Sequence, residues 1–464
     1  MNESGVEIIA QKKKIRAVYF FLGSLIVALV LTWWLKEPGF TDSQTYVLFL
    51  LFFATGLWIT EAIPAFAVAL FIMAYLVFAL GNPHFNSAPE KIDPYVNTFS
   101  SSVIWLLLGG FFLAGAMHKT KLDQKLLMLT LKLSGTKPKN IVIAFMCTTM
   151  VTSMIMSGAA VTAMMVAAVA PLLKGLSRSG LSKALLLGIA TAAAMGGMGT
   201  IIASSQNALA AGILEHNGIR VDFLQWMLYG VPLATGLTAV SCFILLRVFI
   251  KDSVPVTFDF LKNKKNDTER EPVLQRNIVL VVLSVTVLFW LTTSLHGISV
   301  AAISAIPIVV LTLTGIITGN DVKALPWDTL FLVAGGLSLG TALESTHILE
   351  HYAAQMRTMN VGSFGFILIL SYLTMIVSTV MSNSAASAIL IPLGFAVLPS
   401  LQKEAALSIG LASSAGVFLP VSAIPNIIVY GTGLLKQKDF RLVGVLIGIL
   451  GPLLAVLWVL LVTG

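Results

Sequence analysis

Charged side chains are scarce in this sequence. Asp, Glu, Lys and Arg supply 11% of the residues, whereas a soluble globular domain carries about 25%. The sequence also contains no glycine-rich nucleotide loop, no catalytic triad and no cluster of cysteine and histidine with metal-ligand spacing. The low charge excludes a soluble protein, and the missing motifs leave an enzyme without candidate catalytic residues.

Cysteine is also scarce. Cys147 and Cys242 both lie in apolar runs, which predicts two buried thiols and gives no indication of a disulfide. The net charge of +8 does not indicate a nucleic-acid partner, because the basic residues concentrate in the loops between the apolar runs.

Long apolar runs dominate what is present. Hydrophobic residues make up 57% of the chain, and the mean hydropathy is +0.92. About 20 consecutive apolar residues cross the hydrocarbon core of a bilayer as one helix. The basic segment up to Arg16 precedes a run that is too long for a signal peptide, so that run is predicted to stay as the first span. The pattern predicts an all-α polytopic membrane protein with eleven transmembrane helices, at roughly 17–35, 44–63, 64–80, 98–118, 183–215, 229–250, 278–295, 300–317, 328–345, 405–435 and 442–462.

Two further apolar stretches, 140–173 and 361–399, are interrupted by small polar residues. The first break is Ser157-Gly158-Ala159 and the second is Ser382-Asn383-Ser384. Each break leaves backbone groups that lipid cannot pair, so it must be buried in protein or line a cavity. Each stretch is either two full spans joined by a tight turn or a re-entrant hairpin. The polar break favours re-entrant hairpins.

The loop charges predict the orientation in the membrane. With a cytoplasmic N-terminus, Lys and Arg gather on the cytoplasmic side, as the positive-inside rule expects. Hairpins and paired spans give the same split, so charge predicts the side of each broken stretch and not its depth. Eleven spans then place the C-terminus outside. The basic residues left on the outer side are Lys36, Lys91, Arg220, Arg357 and Lys403.

The two halves of the chain repeat one pattern. Trp58-Ile-Thr60 corresponds to Trp290-Leu-Thr292 and Asn207 corresponds to Asn426, with paired glycines and the broken stretches in the same order between them. Each half has an odd number of crossings, which inverts the second half, so the hairpins enter from opposite faces and their tips meet near the midplane. The predicted units are an N-terminal tail with the first helix (1–43), a first inverted repeat (44–250), a cytoplasmic linker (251–277) and a second inverted repeat (278–464).

Each half also has an irregular segment within a span, in 183–215 and in 405–435. The first contains Gly-Gly-Met-Gly-Thr at 196–200, and the second contains Pro420 and Pro425. Gly and Pro inside a span free carbonyls, which coordinate cations, and helix N-termini, which attract anions. No Lys or Arg lies in any of the four breaks, so a bound anion would call for a co-bound cation. The alternative is that small residues merely permit close helix packing.

These motifs resemble the divalent anion/sodium symporter family, the INDY-type dicarboxylate carriers. The resemblance covers nearly the whole chain. It rests on Trp-Ile-Thr-Glu-Ala-Ile at 58–63, Gly-Gly-Met-Gly-Thr at 196–200, Met-Ser-Asn-Ser at 381–384 and Leu-Pro-Val…Pro-Asn at 419–426. It implies a homodimer in which a scaffold domain forms the dimer interface. It also implies a transport domain, built from both hairpins and both broken spans, that moves as an elevator.

The resemblance implies three sets of site residues. The first sodium site would involve Ser153, Ser157, Gly158 and Gly199. The second sodium site would involve Ser378, Met381, Asn383 and Ser422. Contacts to the substrate would come from Gly158, Ala159, Thr200, Asn383, Ser384 and Pro425.

Two segments depart from the family pattern. The first tip reads Ser157-Gly158-Ala159 where the family has Ser-Asn-Thr, so an amide and a hydroxyl are missing. A hydrogen bond to a charged group is worth about 1.5–3 kcal/mol, so the first half is expected to hold the substrate less firmly. Ser384 keeps the hydroxyl of the family's threonine at the second tip. Ser205-Gln206 replaces Pro-Pro before Asn207, so the first broken span is expected to unwind differently.

The sequence therefore predicts a secondary active transporter of the cell membrane and not an enzyme. The predicted substrate is a C4-dicarboxylate such as succinate, malate or fumarate, and the predicted coupling ion is sodium. Three alternatives stay open: a sodium-independent dicarboxylate exchanger, a sulfate carrier, and a non-transporting anion sensor. The predicted partners are membrane lipid and a second copy of the chain.

Overall fold

The structure is a computed structural model that describes residues 3–174, 179–250, 273–358 and 361–464. The described residues form helices joined by turns and short loops, with no strand among them. This confirms the predicted all-α class. Most of the predicted linker, residues 251–272, lies outside the described residues.

In the part of the chain before the linker that the structure describes, there are eleven α-helices. Their ends follow the predicted spans closely, and both apolar stretches that the sequence predicts to be broken in this half are divided into two helices. They are α1 (Glu3–Leu35), α2 (Asp42–Thr60), α3 (Ala65–Gly81), α4 (Asp93–Val96), α5 (Ser102–Lys119), α6 (Leu122–Ser134), α7 (Pro138–Ser153), α8 (Gly158–Lys174), α9 (Gly180–Gly196), α10 (Ser205–His216) and α11 (Phe223–Phe249).

The helices after the linker repeat the order of α2 to α11. The main difference is one additional short helix before the second span of this half. They are α12 (Val273–Leu291), α13 (Thr293–His296), α14 (Val300–Leu313), α15 (Gly319–Lys323), α16 (Trp327–Ser345), α17 (Ile348–Arg357), α18 (Ser363–Val380), α19 (Asn383–Val397), α20 (Gln402–Ser413), α21 (Ile424–Tyr430) and α22 (Gln437–Thr463).

Several helices have the length and composition needed to cross a membrane. Within the described residues, seven have at least 18 residues and an apolar window, and five more apolar helices are shorter. The short ones include α8, α9 and α19, which belong to the segments predicted to be broken. A multi-pass membrane protein is confirmed, and the count of eleven crossings stays a prediction.

Small structural details repeat between the halves as well. Lys121 and His347 precede the amphipathic helices α6 and α17, and both have left-handed backbone angles, with φ of 55° and 53°. The residues before them, Thr120 and Thr346, each donate a side-chain hydrogen bond of 2.7 Å to a carbonyl one turn earlier. The same sharp turn therefore follows the corresponding span in each half.

The two halves pack reciprocally. Helix α3 packs on α16, and the corresponding helices of the opposite halves, α14 and α5, pack on each other. The first contact is close, since a Cβ built on Gly335 of α16 would lie 2.5 Å from the carbonyl oxygen of Ala69 in α3. Each half therefore buries its helices against the other half.

One expectation about burial is wrong. Cys147 of α7 is exposed and Cys242 of α11 is only half-buried. In a membrane protein the outer surface of the helices faces lipid tails, which are as apolar as a protein core. An apolar run therefore does not show which of its side chains point inward.

Candidate functional site

The first hairpin is interrupted where the sequence predicts. Helix α7 ends at Ser153, residues 154–157 form a turn, and α8 begins at Gly158. The Ser157 hydroxyl accepts a 3.3 Å hydrogen bond from the Ala160 N–H and so caps α8. At about 1.5 Å per residue, the 16 and 17 residues of the two arms reach roughly 24 and 26 Å. Both lengths are less than the ~30 Å hydrocarbon core. Helix α3, a predicted full span, also has only 17 residues, so the re-entrant form of the hairpin stays a prediction.

The second hairpin uses the same cap. Helix α18 ends at Val380, Met381 is extended with φ of −121°, and α19 begins at Asn383. The Ser382 hydroxyl accepts a 3.3 Å hydrogen bond from the Ala385 N–H. A serine therefore ends the interruption and starts the second arm in both hairpins.

A buried asparagine stabilises the non-helical segment in the first broken span. Helix α9 ends at Gly196 and the chain becomes helical again as α10 at Ser205, after a short 3-10 turn. Asn207 is fully buried, and its Nδ2 donates to the carbonyl oxygens of Gly197 at 2.7 Å and Thr200 at 2.8 Å. These bonds satisfy carbonyls that the break leaves without an intrahelical partner.

The indole of Trp226 supports the same break from α11. Its Nε1 donates a 3.1 Å hydrogen bond to the carbonyl oxygen of Met198, and its side chain is fully buried. The Thr200 hydroxyl donates a 2.5 Å hydrogen bond to the carbonyl oxygen of Met154, in the turn of the first hairpin. Side chains from α10 and α11 therefore stabilise the break, and the Thr200 hydroxyl connects it to the turn of the first hairpin.

A buried asparagine stabilises the non-helical segment of the second broken span in the same way. Helix α20 ends at Ser413 and α21 begins at Ile424. Asn426 is buried, and its Nδ2 donates to the carbonyl oxygens of Val417 and Leu419, both at 3.0 Å. The correspondence of Asn207 and Asn426, one of several repeated positions in the sequence, therefore has a structural cause.

Two helix N-termini from opposite halves meet at the second tip. Ser205 is the first residue of α10 and Ser384 is the second residue of α19, and their hydroxyls are hydrogen-bonded to each other. No side chain caps α10. A helix N-terminus carries a partial positive charge, so two that converge in this way form an environment that favours an anion.

The first tip meets the opposite half in the same way, with different chemistry. A Cβ built on Gly158, the first residue of α8, would lie 3.5 Å from Cγ of Pro425 in α21 and 3.3 Å from the carbonyl oxygen of Ala193. Gly158 and Ala159 have no polar side-chain atoms, and Pro425 has no N–H. The second pair of helix ends therefore presents backbone donors only.

One of the predicted first sodium residues, Ser153, has an unpaired hydroxyl. Ser153 is fully buried, and its Oγ has no hydrogen-bond partner among the described residues. It lies against the break, since a Cβ built on Gly196 would be 2.9 Å from its Cβ. Asn207 Oδ1 is also buried and unpartnered within the described part of the chain. Oxygen atoms without donors near freed carbonyls suit a hard monovalent cation.

The predicted second sodium residues are arranged differently. The Ser378 hydroxyl donates to the carbonyl oxygens of Met375 and Ser413, both at 2.9 Å. The Ser422 hydroxyl donates to the Leu419 carbonyl oxygen at 2.8 Å, and Met381 is buried. These side chains are already hydrogen-bonded, so a cation there would depend on their lone pairs and on backbone oxygens.

Sequence reasoning missed several members of the site. Ser205 was noted only as a departure before Asn207, and nothing in the local sequence indicates that it reaches Ser384. Trp226 and the free oxygen of Asn207 were not singled out. The one available signal was the shared position of Asn207 and Asn426 after a glycine- or proline-rich break, which is where an amide is needed to pair freed carbonyls.

The site has no charge of its own. None of the residues in 153–160, 196–207, 378–385 and 413–426 is ionisable. Across the described ranges, no group of three or more His, Cys, Asp or Glu side chains is placed to hold a metal ion. An anion here would be bound by helix ends, hydroxyls and amides.

A polytopic membrane fold in which broken helices converge on a charge-free polar site defines a secondary transporter. Residues 17–463 match the family described as "Sodium:sulfate symporter transmembrane region". The chain belongs to this family, which confirms the predicted membership among the divalent anion/sodium symporters. It is therefore an anion transporter and not an enzyme.

Curated relatives and a solved structure agree with this class. A sodium-dependent dicarboxylate transporter, SdcS of Staphylococcus saprophyticus, is 25% identical over 95% of this chain and 90% of its own length. The inorganic phosphate transporter PHO87 of Saccharomyces cerevisiae is 30% identical over 80% of this chain, which spans 41% of that protein. The crystal structure of the YdaH transporter of Alcanivorax borkumensis is similar in fold, with a TM-score of 0.56, 15% identity, and coverage of 86% of this chain and 97% of that one.

Proposed function

We propose that the protein is a sodium-coupled transporter of C4-dicarboxylates such as succinate, malate and fumarate. The observation that carries the proposal is the meeting of helix N-termini from opposite halves, α10 with α19 and α8 with α21. Two separate positive ends match a substrate with two separated carboxylates. The relative named as a sodium-dependent dicarboxylate transporter supports the same substrate class.

The lack of charge at the site supports sodium coupling. A dianion bound without any cationic side chain is costly at membrane depth, and a co-bound sodium ion offsets that charge. In the first half the ion would lie near Ser153 Oγ and Asn207 Oδ1, two of the buried oxygens that have no hydrogen-bond partner among the described residues. In the second half it would lie near Ser378, Met381, Asn383 and Ser422.

The remaining family properties are part of the proposal. The hairpins and broken spans move together as an elevator against a scaffold that contains α2, α3, α5, α12, α14 and α16. The protein works as a homodimer in the cell membrane, with its N-terminus in the cytoplasm and its C-terminus outside. The inverted repeats 44–250 and 278–464 each contribute one hairpin to the moving unit.

Uptake into proteoliposomes tests the function directly. An inward sodium gradient is expected to drive accumulation of labelled succinate, and replacing sodium by potassium is expected to abolish it. The same vesicles are assayed with malate, fumarate and sulfate as competitors. Failure to transport any dicarboxylate rejects the proposal, equal counterflow without sodium identifies an exchanger, and binding without flux identifies a sensor.

Replacing Ser153 by alanine tests the first sodium site. We expect the sodium concentration for half-maximal uptake to rise by roughly tenfold, equivalent to about 1.4 kcal/mol, because an unpartnered oxygen next to the break is lost. The maximal rate at saturating sodium should change little. Ser371→Ala is the control, since Ser371 is another fully buried hydroxyl without a partner within the described residues and lies on α18 away from the breaks. An unchanged sodium dependence in Ser153→Ala would remove this residue from the site.

A further inference from the structure

The hydroxyl pair of Ser205 and Ser384 joins the two halves of the protein at the second tip. Ser384 is 5% exposed and Ser205 is half-buried. For each hydroxyl, the other is the only hydrogen-bond partner found in the described part of the chain. A hydroxyl has one donor and two acceptor positions, so the pair uses one donor internally and keeps one for a ligand.

The direction of the bond within the pair matters for anion binding. When Ser205 donates to Ser384, the Ser384 hydroxyl is left to donate to an anion. Its donor strength then increases, because successive hydrogen bonds polarise one another. Ser205 also lies at the end of α10, whose partial positive charge favours the anion.

The opposite pair of helix ends lacks such groups. Gly158 and Ala159 provide no side-chain donor, and the space beside Gly158 is limited by Ala193 and Pro425. The site therefore has side-chain donors at one end and only backbone donors at the other. The polar end comprises Asn383, Ser384 and Ser205.

We propose that Ser205 is a positioning residue that acts through Ser384, and that this hydroxyl pair provides most of the binding energy for one carboxylate of the substrate. The inference rests on the proposed function. It narrows the substrate requirement to four-carbon acids with one obligatory carboxylate, while the other end is recognised weakly. A neutral group at that end is then tolerated.

Two ligands separate this idea from symmetric recognition. Succinate has two carboxylates, and succinamate has one of them replaced by a neutral amide of similar shape. In wild-type protein we expect the apparent affinity for succinamate to be within about tenfold of that for succinate, the lower limit for losing a hydrogen bond to a charged group. A larger ratio overturns the inference. Affinities are measured by ligand-induced thermal stabilisation in saturating sodium and by competition in uptake.

Variants test the role of Ser205 itself. Ser205→Ala is expected to weaken the binding of both ligands by roughly twofold to tenfold, the range for losing a hydrogen bond between neutral groups, with little change in maximal rate, and Ser205→Thr is expected to keep wild-type binding. Because Ser205 acts through Ser384, the double variant Ser205→Ala/Ser384→Ala should bind no more weakly than Ser384→Ala alone. Ser241→Ala is the matched control, since Ser241 is fully buried and its hydroxyl donates to the carbonyl oxygen of Leu237 in its own helix.

The outcomes distinguish this inference from the proposed function. If wild-type protein binds neither succinate nor any other dicarboxylate, both fail. If wild-type protein binds succinate but Ser205→Ala binds it equally well, only the role of Ser205 fails. The same holds if the losses of binding affinity in the two single variants add up in the double variant. If Ser205→Ala does not fold, the ratio of the two ligands in wild type and the behaviour of Ser205→Thr decide the question.

Discussion

Replacing Asn207 by alanine is expected to abolish transport and to lower thermal stability. The change leaves the carbonyl oxygens of Gly197 and Thr200 without their donor in a fully buried position. Each buried group left unpaired costs about 1–3 kcal/mol, so the loss is on the order of 2–6 kcal/mol. The break between α9 and α10 would lose its shape, and with it the placement of Ser205 and of the first sodium site.

Two comparisons make this prediction specific. Asn97→Ala removes an exposed asparagine and should leave both melting temperature and uptake at wild-type values. Asn426→Ala removes the corresponding amide in the second half, where both bonds are 3.0 Å long, and is expected to be equally inactive. Wild-type stability together with normal uptake in Asn207→Ala would contradict the role assigned to this amide.

Gly230→Ala has the second large expected effect. Gly230 lies on α11, and a Cβ at this position would be 2.2 Å from the carbonyl oxygen of Met198. The neighbouring atom is backbone, so it cannot turn aside as a flexible side chain would. Overpacking of this kind costs about 1–3 kcal/mol. Here the displaced backbone belongs to the break in the first broken span, so we expect uptake to fall by more than about tenfold.

Gly236 provides a matched control on the same helix. A Cβ built on Gly236 has no atom within 4 Å. Gly236→Ala is therefore expected to transport normally and to be slightly more stable, because alanine favours a helix over glycine by about 1 kcal/mol. Equal behaviour of the two variants in melting and uptake assays would show that the contact between α11 and Met198 is not needed.

Much of the fold was accessible from the sequence because lipid restricts what a chain can do. Backbone groups within the hydrocarbon core must pair inside one segment, so apolar length predicts helices and a polar interruption predicts a break. The stretch 140–173 accordingly becomes α7 and α8, and 361–399 becomes α18 and α19. The same reasoning predicted the glycine-rich break after Gly196, although it did not identify Asn207 as the residue that holds it.

The contacts between the halves were not accessible in this way. Ser205 and Ser384 are 179 residues apart, and no local pattern of spacing connects them. The sequence also did not show which side chains face lipid, as the wrong expectation for Cys147 illustrates. Hydrophobicity does not distinguish a helix face buried in protein from one that faces lipid, so the partner of each helix had to come from the structure.

The reciprocal contacts have an evolutionary consequence. In each pair of helix ends, a hairpin tip of one half lies against the broken span of the other, so neither half contains a complete pair. A half-length ancestor could form such a pair only by associating with a second copy of itself. The two pairs of helix ends in that dimer would have been identical. A single chain is free of that constraint, and its two ends differ: hydroxyls lie at one, and glycine and alanine at the other.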